Sequence, residues 1–124
     1  MPNILSITAV LPAANVAESL AWWVNVCGFV ETFRMDDVPT YAGIKRGGAE
    51  LHLGIVRGAE LVKAVAEQTV TRIQVDDVDA MHAEYLGRGG KVHPNGALAT
   101  KPWGTREFAT IDPAGVLVWF TQRL

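Results

Sequence analysis

A chain of 124 residues, 49% of them hydrophobic, is long enough and apolar enough to bury the core of one compact domain. Its formal net charge of -2 comes from interspersed charges, so no basic stripe is present to hold nucleic acid or an acidic membrane surface. No apolar run nears the roughly 18 to 20 residues that cross a bilayer, and the first residues lack a signal peptide's charged start, so the expected location is cytoplasmic.

Ile4 to Val10 reads as a β-strand, with Pro12 expected to end it. Asn15 is placed to cap a first helix, and Glu18 stands where a capping box needs its reciprocal partner. Val16, Leu20, Trp23 and Cys27 then recur at helical spacing and define the buried face. Cys27 is the only cysteine, so no intramolecular disulfide can form, and on this face it reads as a packed core thiol. Trp23 shares that face, while Trp22 points elsewhere, toward a subunit contact.

Gly28 stops the helix. Strands are expected over Phe29 to Met35, Tyr41 to Lys45 and Ala49 to Ile55, separated by the turn-forming Asp36-Asp37-Val38-Pro39 and Arg46-Gly47-Gly48. Arg57 to Gln68 reads as a linker with at most a helical turn around Leu61 to Ala66. Val70 to Val75 is the next strand, and a helix from Val78 to about Gly87 buries Val78, Met81 and Tyr85. Lys91 to His93 begins another strand, and Pro94 to Trp103 reads as a loop. Arg106 to Ile111 and Val116 to Gln122 form a hairpin through Asp112-Pro113-Ala114-Gly115.

The two helical segments are copies of one pattern, sixty-two positions apart: Asn15 to Trp23 leading to Gly28, and Asp77 to Tyr85 leading to Gly90. Self-similarity at a fixed offset reports architecture, and two copies suit a pseudo-symmetric domain whose halves share a cleft. The order is βαβββ twice. The expected organisation is a single α+β domain over 1–124, with repeat one at about 1–56, a linker at about 57–69 and repeat two at about 70–124.

Residues outside the helices carry a family resemblance. Glu50-Leu51-His52-Leu53 follows a Gly-Gly turn, Pro102-Trp103-Gly104 precedes Arg106-Glu107-Phe108, and Asp112-Pro113-Ala114-Gly115 leads into the last strand. On this duplicated frame the chain resembles the vicinal oxygen chelate superfamily, which includes glyoxalase I, extradiol dioxygenases, fosfomycin-resistance enzymes and bleomycin-resistance proteins. The resemblance implies two βαβββ repeats forming a cup-shaped mixed sheet flanked by helices. It does not choose among the chemistries that such a cup hosts.

Metal-dependent members take ligands from the first and last strand of each half. Carried onto this chain, the resemblance puts those positions at Thr8, Glu50, Val70 and Trp119. Only Glu50 is a good ligand, because valine and tryptophan offer a divalent cation no usable lone pair and a threonine hydroxyl substitutes poorly for imidazole. A shift of one residue, to Thr71 or Phe120, is no better. His52 lies two residues beyond Glu50 on the same strand face, but no third ligand matches, since His82 falls on a helix and His93 at a strand end.

What the resemblance then implies is a cup without its chelate, similar to the bleomycin-resistance branch. The expected protein is a metal-free homodimer with no cofactor and no catalytic residue. It would sequester a partly aromatic, amide-bearing or cationic compound, such as an antibiotic, through Glu50, His52, Trp103 and Trp119. Indole faces stack on planar groups and attract cations by about 0.5 to 2 kcal/mol. Two other readings stay open: a metal-dependent lyase, isomerase or dioxygenase using Glu50 and His52, and a non-catalytic interaction or regulatory domain whose tryptophans only fill the cup.

Overall fold

In the computed structural model, which describes residues 1–124, Asn15 caps the first helix through its side-chain oxygen, which accepts from the Glu18 backbone N–H at 3.0 Å. Asp77 does the same in the second copy, accepting from the Ala80 N–H at 3.0 Å. Each cap satisfies a helix-end donor that would otherwise lack a partner. In chain order the elements are β1 (Ala9–Ala13), α1 (Val16–Asn25), β2 (Val30–Met35), β3 (Tyr41–Arg46), β4 (Ala49–Ile55), α2 (Ala59–Glu67), β5 (Val70–Gln74), α3 (Val78–Gly87), β6 (Ala99–Lys101), β7 (Thr105–Ile111) and β8 (Leu117–Arg123).

The strands form two four-stranded sheets ordered β1-β4-β3-β2 and β5-β8-β7-β6. In both, the first strand runs parallel to the last and the remaining pairs are antiparallel. The repeat read from the helices therefore extends to strand order: each half is the same βαβββ unit.

Both helices bury the expected faces. Val16, Leu20 and Trp23 of α1, and Val78, Met81 and Tyr85 of α3, join a core that also holds Cys27, Phe29, Phe108 and Phe120. Burial pushes the Cys27 thiol's pKa far up, as suits an inert packing group. That core draws on both halves. Trp22 sets its ring edge-on to Trp23 at 5.0 Å and to Tyr85 at 6.4 Å, so it links α1 to α3 within the chain. A polar clamp repeats the link. Arg46 donates to the Cys27 carbonyl at 2.8 Å and to both Glu84 carboxylate oxygens at 2.6 and 2.9 Å.

Four boundaries differ from the sequence reading. The strand expected over Ile4 to Val10 starts at Ala9 and continues through Pro12 to Ala13. Its register pairs Ala9 with Leu51 of β4, so the partner strand runs out two residues upstream, and Met1 to Thr8 project as an exposed arm. Pro12 is tolerated because β1 is an edge strand, where a missing N–H need not break the ladder. The linker is largely helical: α2 pairs buried Val62 with buried Ala66, one turn apart, against β1. No strand forms over Lys91 to His93. It appears instead as β6, inside the segment read as loop, where Ala99, Thr100 and Lys101 pair with Glu107, Arg106 and Thr105 of β7.

Candidate functional site

Alternation along β4 sends Leu51 and Leu53 into the core and puts Glu50 and His52 on the opposite face of the first sheet. His52 is held there on several sides. Its Nδ1 lies 2.7 Å from the Tyr41 hydroxyl of β3, and its Nε2 lies 3.5 Å from Glu50 Oε1. With the Tyr41 O–H donating to Nδ1, the ring proton sits on Nε2 and points toward the Glu50 carboxylate. Phe33 of β2 meets the imidazole edge-on at 5.1 Å and lies nearly parallel to Tyr41 at 6.1 Å. Gly43 makes room for this packing, since a Cβ there would stand 2.3 Å from a Phe33 ring carbon. The result is an aromatic patch with one carboxylate beside it.

On the second sheet the corresponding face gathers Arg72 of β5, Trp119 and Thr121 of β8, Glu107 of β7 and Lys101 of β6. The register makes Trp119 the neighbour of Arg72 and Thr121 the neighbour of Glu107. The Arg72 guanidinium lies 5.6 Å from the Trp119 ring centre and pairs with Glu107, whose side chain is only 1% exposed. Lys101 Nζ lies 5.9 Å from the Trp103 ring and 6.0 Å from the Trp119 ring. Trp103 itself is exposed on the turn between β6 and β7. The hydroxyls of Thr105 and Thr121 are buried without a hydrogen-bond partner.

The four site residues expected from the sequence thus fall into two pairs. Glu50 and His52 are neighbours on the first sheet, and Trp103 and Trp119 share Lys101 on the second. A single chain does not enclose all four in one pocket. A cavity of about 930 Å³ runs between β1 and β4 on one side and β5 and α3 on the other; Glu50 lines it, but His52, Trp103 and Trp119 do not. The sequence reading missed Tyr41, Phe33, Arg72, Lys101 and Glu107. Alternation along Val70-Thr71-Arg72 would have put Arg72 on the Trp119 face, but only the pairing of β5 with β8 makes the two neighbours.

The donor set does not fit a divalent metal. Of the four positions the fold implies, Thr8 lies on the exposed arm ahead of β1, Val70 is apolar, and Trp119 lies beside a guanidinium. No three His, Cys, Asp or Glu side chains come close enough together to hold an ion. The remaining histidines are engaged elsewhere: His82 packs edge-on to Phe108 at 5.0 Å, and His93 Nδ1 accepts from the Asn95 N–H at 3.0 Å. No helix is long and apolar enough to cross a membrane.

Comparison with known proteins agrees with this fold. The sequence profile of the Glyoxalase/Bleomycin resistance protein/Dioxygenase superfamily matches residues 5–120. A bleomycin resistance protein of Geobacillus stearothermophilus is 25% identical over 129 residues, which cover 92% of this chain and 93% of that protein. The bleomycin-binding protein of Streptomyces verticillus, solved in complex with copper(II)-bleomycin, superposes with a TM-score of 0.80 at 32% identity over 100% of both chains. A glyoxalase-related enzyme from Clostridium phytofermentans superposes with a TM-score of 0.76 at 14% identity, over 99% of this chain and 98% of that one, a likeness of fold alone. With its repeats, its sheet order and this match over nearly its whole length, the chain belongs to the Glyoxalase/Bleomycin resistance protein/Dioxygenase superfamily.

Proposed function

We propose that this protein is a metal-free binding protein that sequesters a small, partly aromatic compound, as the relatives named for bleomycin resistance and bleomycin binding suggest. The observation that carries this reading is the content of the former chelate positions. Glu50 is the single good donor among them, and an indole flanked by cations stands where the fourth ligand would be. Stacking surface has replaced coordination. The ligand contacts are assigned to Glu50 and His52 on the first sheet and to Trp103 and Trp119 on the second, with the Tyr41 hydroxyl orienting the imidazole.

Those contacts form one cup when two copies associate, and the surface supports a homodimer. Ile4, Leu5 and Ile7 on the arm are 92%, 92% and 86% exposed. Val10, Val30 and Met35, on or beside the His52 face, are more than half exposed. Scattered exposed apolar residues are ordinary, whereas a run of them on an arm and an adjoining sheet face marks a contact surface. Within each chain the two repeats work as one domain over 1–124, joined by their shared core, and the expected compartment is the cytoplasm. Light scattering at micromolar concentration should therefore give about twice the 13.4 kDa chain mass. A clean monomer that binds ligand in a complete pocket would overturn the shared cup.

Metal analysis of gently purified protein tests the chemistry directly. We expect no stoichiometric Zn²⁺, Fe²⁺, Ni²⁺ or Mn²⁺, and a thermal midpoint that chelator does not move. One ion per subunit with Glu50 among its ligands would replace this reading with a metal-dependent enzyme. The positive test is a thermal-shift screen of small compounds, in which a binder raises the midpoint in proportion to the logarithm of its concentration over Kd.

A further inference from the structure

The cations around Trp119 constrain the ligand further. Arg72 reaches the indole from β5, while Lys101 approaches from β6, beyond β7 on the other side of β8. The two charges are not equivalent. Arg72 is paired with Glu107, a buried carboxylate whose charge is thereby engaged. Lys101 is half-buried, lies near two indoles and forms no ion pair with any carboxylate. Arg123 lies on the same face two residues beyond Thr121 and is likewise free of an ion pair. Three cations thus stand against one carboxylate on this face. The Thr121 hydroxyl, buried without a partner beside Glu107, adds a donor that no protein group uses.

Resting on the proposed binding function, we infer that this tryptophan shelf recognises a planar ring bearing an acidic group, with Lys101 as its counter-ion. A ring that stacks on the Trp119 or Trp103 face that Lys101 covers must move the ammonium off it. A cationic ring would do so against electrostatic repulsion and leave the ammonium with neither ring nor anion. A carboxylate or sulfonate on the ring gives that ammonium a partner as it moves. The indoles supply the surface, the lysine the charge selection and the Arg72–Glu107 pair a fixed wall. The polarity is opposite to that of the Glu50 half-site, so a ligand spanning both carries its acidic end on the second sheet.

The test uses three probes with the same ring: 2-naphthoate, 2-naphthamide and 2-naphthylmethylammonium, titrated calorimetrically into the intact protein at neutral pH. Naphthoate should bind at least about tenfold more tightly than the ammonium probe, the order expected of one partly screened ion pair gained against one like-charge contact. Lys101→Met should remove most of that preference, and Lys101→Arg should retain it. Unchanged thermal midpoints in both variants would exclude misfolding as the cause. Equal or tighter binding of the ammonium probe, or a preference that survives Lys101→Met, overturns the inference. If naphthamide binds and charge makes no difference, the cup reading stands and the acidic ligand is wrong. If none of the three probes binds, both fall.

Discussion

Trp119→Ala is expected to weaken binding of any planar ligand by about 1 to 3 kcal/mol, which is about five- to 150-fold in Kd. Trp119 is the only large aromatic surface at a former chelate position, and its ring is held from the β5 side by Arg72. Alanine leaves Arg72 its Glu107 partner, so the sheet keeps its ion pair and the loss falls mainly on the ligand. Trp103→Ala should cost less, because that ring is 65% exposed on a turn and must be ordered by the ligand it contacts. Ligand should also quench the parent's intrinsic fluorescence, in chelator as well as without it. If both alanine variants bind a confirmed ligand as tightly as the parent, the contact site lies elsewhere.

Asp112→Ala should lower folding stability by about 3 kcal/mol, measured by urea denaturation. The turn between β7 and β8 is organised around this carboxylate: Oδ1 accepts the backbone N–H groups of Ala114, Gly115 and Val116 at 3.0, 3.0 and 2.9 Å. Alanine leaves the Ala114 and Val116 N–H groups without this acceptor, while the Gly115 N–H keeps the Asp112 backbone carbonyl at 3.0 Å. A buried unpaired donor costs about 1 to 3 kcal/mol, and water at the half-open turn recovers part of the total. Asp112→Asn retains an acceptor and should lose clearly less.

The same carboxyl predicts a pH dependence. Burial raises the Asp112 pKa, against the pull of those N–H groups. A folded pKa above the unfolded one means that the contribution is complete below the unfolded value and is lost as pH rises through the folded one. Relative to Asp112→Asn, the parent should therefore gain stability as pH falls from neutral toward about 4. Glu84 works in the opposite sense. The Arg46 guanidinium holds its carboxyl below the usual range, so its contribution is present at neutral pH and is lost as pH falls through that lowered value.

Much of the fold was legible before any coordinates, because its signals are local. Cap residues, a repeated helical period and turn chemistry placed α1 and α3 and their buried faces. The spacing between the two copies predicted the duplicated unit that the sheet orders display. The short elements were less legible. Three residues become β6 only because β7 lies alongside, and β1 pairs with β4 only from Ala9 onward, which no local pattern in Ile4 to Val10 reveals.

The site divides along the same line. The sequence nominated Glu50, His52, Trp103 and Trp119 as site residues, and the family resemblance left one good ligand among four expected positions, since residue type decides whether a lone pair is available. Tertiary structure decided which of these residues are neighbours. Strand pairing between distant segments put Tyr41 and Phe33 around His52, and Arg72 and Lys101 around Trp119. It also separated the two pairs onto different sheets. Chemical identity is a property of each residue and can be read along the chain, whereas proximity depends on long-range strand pairing that exists only once the sheets have formed.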